Sequence, residues 1–309
     1  MREAGAAQRR QDNGRWPSRG GVRLRGVPQG LRAGQEGGAV IILPSALLLR
    51  AVLGGVLAGA LCSLVGVFAV RLRMSSIGFC MSHAAFAGAA LGTLLALDPL
   101  LTAIAAAIAT AALLGPISDK ARLPADVIAG ILFPITMALA FIFLMLLPGP
   151  VVGLKALSLL WGSILTVSPL DVALLAILLA LSASFTVLFW KELNAVLFDP
   201  KMAEADGINA RAYINAILFL LGAVVALSLK LVGGLLVYAL VMNSASTALQ
   251  LSYDMKKIFL LSPLIGISAF LGGFGLSLWF DLPVGSSIVI ASSLMFAFSV
   301  AFSPKRKRR

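Results

Sequence analysis

Charge is scarce in this sequence. Asp, Glu, Lys and Arg make up 12% of its 309 residues, about half of the roughly 25% usual in soluble domains. Hydrophobic residues make up 60%, and mean hydropathy is +0.99. A water-soluble fold is excluded, and a chain that crosses a membrane many times is indicated. Histidine and cysteine are scarcer still. There is one histidine, His83, and there are two cysteines, Cys62 and Cys80, without C-x-x-C spacing, so a structural zinc site or dithiol motif is excluded. A single histidine cannot form H-E-x-x-H, and few carboxylates fall inside the apolar blocks. An intramembrane enzyme therefore lacks a paired acid and base. No G-x-x-x-x-G-K-[ST] phosphate loop occurs, so the chain does not hydrolyse ATP by that chemistry.

The net charge of +12 belongs to the tails. Residues 1–38 carry eight arginines against Glu3, Asp12 and Glu36, and the last five residues are all basic. The body between them is nearly neutral, which argues against a nucleic-acid partner. Residues 1–38 are rich in Arg, Gly and Gln without apolar periodicity and are expected to be disordered. They do not resemble a signal peptide. Gln35, Glu36 and Gly37 can be encoded by a purine-rich run like a ribosome-binding site, and Val40 by a GTG start, so this segment is alternatively expected to be untranslated. Residues 39–304 are expected to form the membrane domain, and 305–309 a basic cytoplasmic tail.

Apolar blocks at 51–70, 78–97, 99–115, 126–147, 170–190, 212–230, 233–252, 258–280 and 285–303 each approach the ~20 residues that cross ~30 Å of hydrocarbon. Tight breaks at Asp98-Pro99, 230–233 and 281–283 could merge neighbours, so the expected fold is an all-α polytopic transmembrane bundle of about eight spans, within seven to ten. In a nine-span count Arg71, Arg73, Lys120, Arg122, residues 191–211, Lys256, Lys257 and the basic tail share one side. The positive-inside rule makes that side cytoplasmic. Gly55 with Gly59, and Gly88 with Gly92, have the spacing that lets membrane helices approach closely. The 148–169 stretch is apolar but broken, and reads as a half-membrane element that must be buried in protein or line a cavity.

Residues 190–211 are the one long polar interruption. Lys191, Glu192, Asp199, Lys201, Glu204, Asp206 and Arg211 belong in water between two membrane blocks. Within them Asp199 suits a helix N-cap, Pro200 the first helical position and Gly207 the left-handed residue that ends the helix. So short a helix does not stand alone, and Met202, Ala203 and Ile208 are its expected apolar contacts.

W-K-E-L followed by F-D-P-K-M-A-E-A-D-G-I resembles the cytoplasmic coupling loop of the metal-type ABC transporter permeases. That family imports zinc, manganese or iron with a separate ATPase. M-S-S-I-G-F-C-M-S-H-A-A-F-A-G-A-A-L-G, from Met74, is similar to the family's second-span G-D-x-x-S-H motif. Phe79 stands where the family has Asp, four residues before His83. W-G-S-I-L-T-V-S from Trp161, R-L-P-A-D-V-I-A-G from Arg122, K-L-V-G-G-L-L-V-Y-A-L-V-M-N-S-A-S-T-A from Lys230 and D-L-P-V-G-S-S-I-V from Asp281 match in the family's order. In the Lys230 stretch Ser244-Ala245 stands for a usual Pro-Ala.

The resemblance implies an ABC type II importer-like fold in the plasma membrane and a permease working as two copies with a cytoplasmic ABC ATPase and an extracytoplasmic metal-binding protein. It implies no cofactor on this chain, a divalent metal as cargo, and coupling through Asp199, Pro200, Glu204, Asp206 and Gly207. The pathway candidates are His83, Ser82 and Cys80, with His83 the candidate metal ligand. The competing reading is a secondary transporter without an ATPase. It calls for mid-membrane carboxylates, whereas Asp98, Asp171 and Asp281 fall near span ends.

Overall fold

The computed structural model describes residues 45–147 and 167–303. Residues 1–38, the 305–309 tail and residues 148–166, which hold most of the expected half-membrane element and of the Trp161 motif, lie outside the described residues. Every described element is an α-helix: α1 (Ser45–Arg71), α2 (Ser75–Leu94), α3 (Pro99–Ala121), α4 (Ala125–Met145), α5 (Pro169–Leu188), α6 (Trp190–Phe198), α7 (Pro200–Ala205), α8 (Ala210–Val232), α9 (Gly234–Leu251), α10 (Met255–Phe280) and α11 (Val284–Ala301). Eight of them are long and apolar enough to span a membrane, and α9 is a shorter apolar helix. The protein is a multi-pass membrane protein. The nine apolar blocks correspond to α1 to α5 and α8 to α11. The larger differences are α1, which opens at Ser45 instead of 51, and α3, which runs through Pro116 to Ala121 instead of stopping at 115. A proline inside a membrane helix costs one backbone hydrogen bond without forcing a break, because neighbouring groups re-satisfy the freed carbonyl.

Close backbone contact organises the interior. A methyl group on Gly55 would overlap the Phe270 ring, and one on Gly59 would press on the Gly266 carbonyl oxygen. The first glycine pair thus sets α1 against α10, where Ser262 Oγ also donates to Ser63 O at 2.7 Å. Gly88 and Gly92 meet Thr102 and set α2 against α3. Lipid supplies no hydrophobic drive between helices, so this close fit carries the packing. The spanning windows of α1 and α2 are 78% buried, whereas those of α3, α4 and α5 are 28%, 22% and 22% buried. The first two are central and the other three form the rim.

Three reversals close in the same way. After α1, Met74 N–H donates to Ala69 O at 2.8 Å and Arg73 N–H to Val70 O at 3.2 Å, with Arg73 at φ 57°. Ala96 after α2 and Arg122 after α3 repeat the pattern at φ 56° and 55°. These are Schellman closures, in which the last carbonyls of a helix are satisfied through a left-handed residue. None of the three uses the glycine that this position favours.

Among the described residues most of the basic ones gather at one end, Arg50 near the start of α1 and Lys230 near the end of α8 being at the other. The reversal after α1 is tied to the start of α4 by Ser76 and Asp126. The end of α3 is tied to the start of α8 by Asp119 and Arg211, 3.7 Å apart. Phe68 and Trp190 both pack on Phe259 near the start of α10, and Ser303 bonds Gln250. The even alternation of helices expected from the nine-block count follows from these ties.

Candidate functional site

Residues 190–211 fold into two short helices. The first, α6, was not expected from the polar composition. It arises because Leu193, Val196 and Leu197 share one face and are buried there, with Lys191 and Phe198 exposed. The second, α7, follows its sequence signals closely. Asp199 Oδ1 accepts from Lys201 N–H at 2.8 Å and Met202 N–H at 3.3 Å, Pro200 opens the helix, and Gly207 sits at φ 85° where Ile208 N–H returns to Ala203 O at 2.9 Å. Such a cap stabilises by about 1 kcal/mol.

The pair rests on a small core of Val196, Ala203 and Ala210, with Ile208, Leu72, Tyr213 and Ile214 packed on it. Ala203 and Ile208 thus take their expected inward places, but Met202 does not. It is 60% exposed, and Phe198, four residues before it, is 77% exposed. Glu204, Asp206 and Lys201 are exposed beside them. The segment therefore buries one apolar face on its own chain and leaves Phe198 and Met202 outward, with exposed charged residues close by in sequence. An outward apolar pair with a charged rim has the composition of a protein contact.

The α2 helix presents the opposite case. His83 is buried at 5% exposure, and its Nδ1 lies 3.0 Å from the carbonyl oxygen of Phe79. A carbonyl can only accept, so Nδ1 carries the proton of this contact, and the lone pair of the neutral imidazole would lie on Nε2. Around the imidazole stand Phe79 and Phe133, with ring centroids at 4.5 and 4.8 Å, and Phe79 in turn packs on Tyr238 at 5.0 Å. Through its ring Phe79 thus joins α2, α4 and α9. Ser82 Oγ donates to Gly78 O at 2.9 Å, and Cys80 is fully buried in the main core. The structure brings His83 and Phe79 together but turns Cys80 into a different packing environment. Among the described residues no three of His, Cys, Asp and Glu converge as a metal-holding group.

Phe79 also lines a cavity of about 530 Å³ with Val232, Leu236, Tyr238, Asn243 and Ser286. It lies beside the reversal from α8 to α9, where Gly233 takes φ 85° and Val232, Gly233 and Gly234 are buried. Asn243 crosses from α9 to α11, donating to Ser292 and Ser293 Oγ at 3.1 Å each. The sequence reading passed over Asn243, although a lone amide in the run V-M-N-S is the kind of intramembrane polar group that flags a site. It also passed over the side-chain role of Asp126, which holds the start of α2.

The sequence profile of the ABC 3 transport family matches residues 45–303. The manganese transport system membrane protein MntC of Halalkalibacterium halodurans is 28% identical over 265 residues, 86% of this chain and 90% of the relative. The high-affinity zinc uptake system membrane protein ZnuB of Haemophilus influenzae is 26% identical over 254 residues, 82% of this chain and 97% of the relative. In the solved structure of PsaBC from Streptococcus pneumoniae in complex with Fab, a chain with 27% identity superposes with a TM-score of 0.75, covering 85% of this chain and 94% of that one.

Proposed function

We propose a specific task from one premise: the chain belongs to the ABC 3 transport family and is a permease subunit of the plasma membrane. It forms, with a second copy of itself, the path of an ATP-driven importer for a divalent metal ion, zinc, manganese or iron, the metals of its relatives' systems. The observation that carries this reading is the outward pair Phe198 and Met202 on the capped segment. An ABC ATPase subunit supplies the hydrolysis and receives α7, with Asp199, Pro200 and Gly207 fixing the shape of the contact and Glu204 and Asp206 its charged rim. An extracytoplasmic metal-binding protein delivers the ion. The path runs beside α2, where His83 offers Nε2 and Ser82 and Cys80 lie within one turn of it. Two ATPases need two coupling segments, which is why one complex holds two copies of the chain.

The test is uptake of labelled zinc, manganese and iron by vesicles holding the permease with its ATPase. Uptake should require ATP and stop when the ATPase is withheld. Equal uptake without the ATPase would replace this reading with secondary transport.

A further inference from the structure

The first turn of α2 is capped by another helix. Met74, at the N-cap position, makes no side-chain cap bond. Asp126, in the first turn of α4, does it instead: Oδ1 accepts from Ser76 N–H at 2.6 Å and Oδ2 from Ser76 Oγ at 3.1 Å. A charged acceptor on backbone N–H at a helix N-terminus makes one of the stronger hydrogen bonds a protein has. On the other side of this turn stands Leu72. It packs both on the small core beneath α7 and on the main core, so it joins the water-side segment to the membrane body. Between Leu72 and Ser76 the chain has no slack, because the Schellman closure holds Arg73 and Met74, and Ile77 N–H returns to Met74 O at 3.3 Å.

We propose that Leu72 and the Asp126–Ser76 clasp are the positioning elements that convert displacement of α7 into displacement of α2 and α4 together. A push on α7 reaches Leu72 through Val196, Ala203 and Ala210. The closed turn passes it to the start of α2, and the clasp makes α4 follow, so the Phe79, His83 and Phe133 cluster travels as a unit. This inference rests on the reading of α7 as the ATPase contact.

The experiment uses the assembled permease with its ATPase in lipid vesicles and reads labelled manganese or zinc taken up per ATP hydrolysed. Asp126→Ala should leave the ATPase bound and hydrolysing while uptake per ATP falls about five-fold, within the span that changes along a coupling path produce. Asp126→Asn should restore most of the loss, since its amide oxygen still accepts from Ser76 N–H and its amino group can donate to Ser76 Oγ. Leu72→Ala should show the same loss, with Ser76→Ala smaller because the backbone arm survives. Backbone amide exchange at Ser76 should speed up in Asp126→Ala. An unchanged ratio with less folded complex, or unchanged exchange at Ser76, would overturn the inference. If the unmodified permease retained no ATPase, the contact reading itself would fall, and the two failures are told apart by that control.

Discussion

Residues 190–211 and the part of α2 around His83 are built in opposite ways. The water-side segment is specified locally: a cap, a proline and a glycine within nine residues define α7, and its outward residues Phe198 and Met202 are largely exposed. The α2 region is specified by distant residues: Phe133 lies on α4, Tyr238 on α9, and Asp126 reaches in from α4. Substitutions in the first should therefore act on partners and leave the fold intact. In the second, effects on folding and on function arrive together and must be separated.

The largest effect expected from breaking this contrast comes from the exposed pair. Phe198→Asp with Met202→Asp should leave the amount of folded permease unchanged and abolish both ATPase copurification and uptake. Loss of the folded permease instead would mean that the segment is structural. Next comes His83→Ala, for which uptake per folded complex should fall on the order of ten-fold, as loss of a group near a metal does. Unchanged uptake per folded complex would end its pathway role.

Phe79→Ala removes ring contacts to His83, Phe133 and Tyr238 together. It should lower stability by about 3 kcal/mol, the low end for a Phe→Ala change because Phe79 is only half-buried, read as a lower unfolding temperature in detergent, while the ATPase still copurifies. The smallest effect is Gly207→Ala. An alanine at φ 85° costs about 1 kcal/mol, confined to α7, so ATPase retention should weaken slightly with the unfolding temperature unchanged.

The same contrast governs what could be read from the sequence. Span positions were legible because the apolar blocks are nearly as long as the helices, and Asp199, Pro200 and Gly207 were legible because caps act within a few residues. The α6 helix was missed because Leu193, Val196 and Leu197 sit among charges that mark a loop when taken by composition. The outward turn of Met202 was missed because an apolar residue in a short helix can face either core or partner, and only the position of Ala203 decides it. The ring around His83 was out of reach: Phe79 read as a lost ligand, and nothing in the α2 stretch reveals that Phe133 and Tyr238 converge on it. Asp126 likewise read as a polar start to α4 and not as the missing cap of α2.

The short reversals described above also bear on how the chain enters the bilayer. Three residues separate α1 from α2, four separate α2 from α3, and three separate α3 from α4. A linker that short cannot cross a hydrocarbon layer of about 30 Å, because each extended residue spans at most about 3.6 Å. No one of these four helices can therefore reverse its direction alone once its neighbours are inserted. During biosynthesis they keep or exchange their orientation as a set, and charges at any one of their shared turns help orient all four.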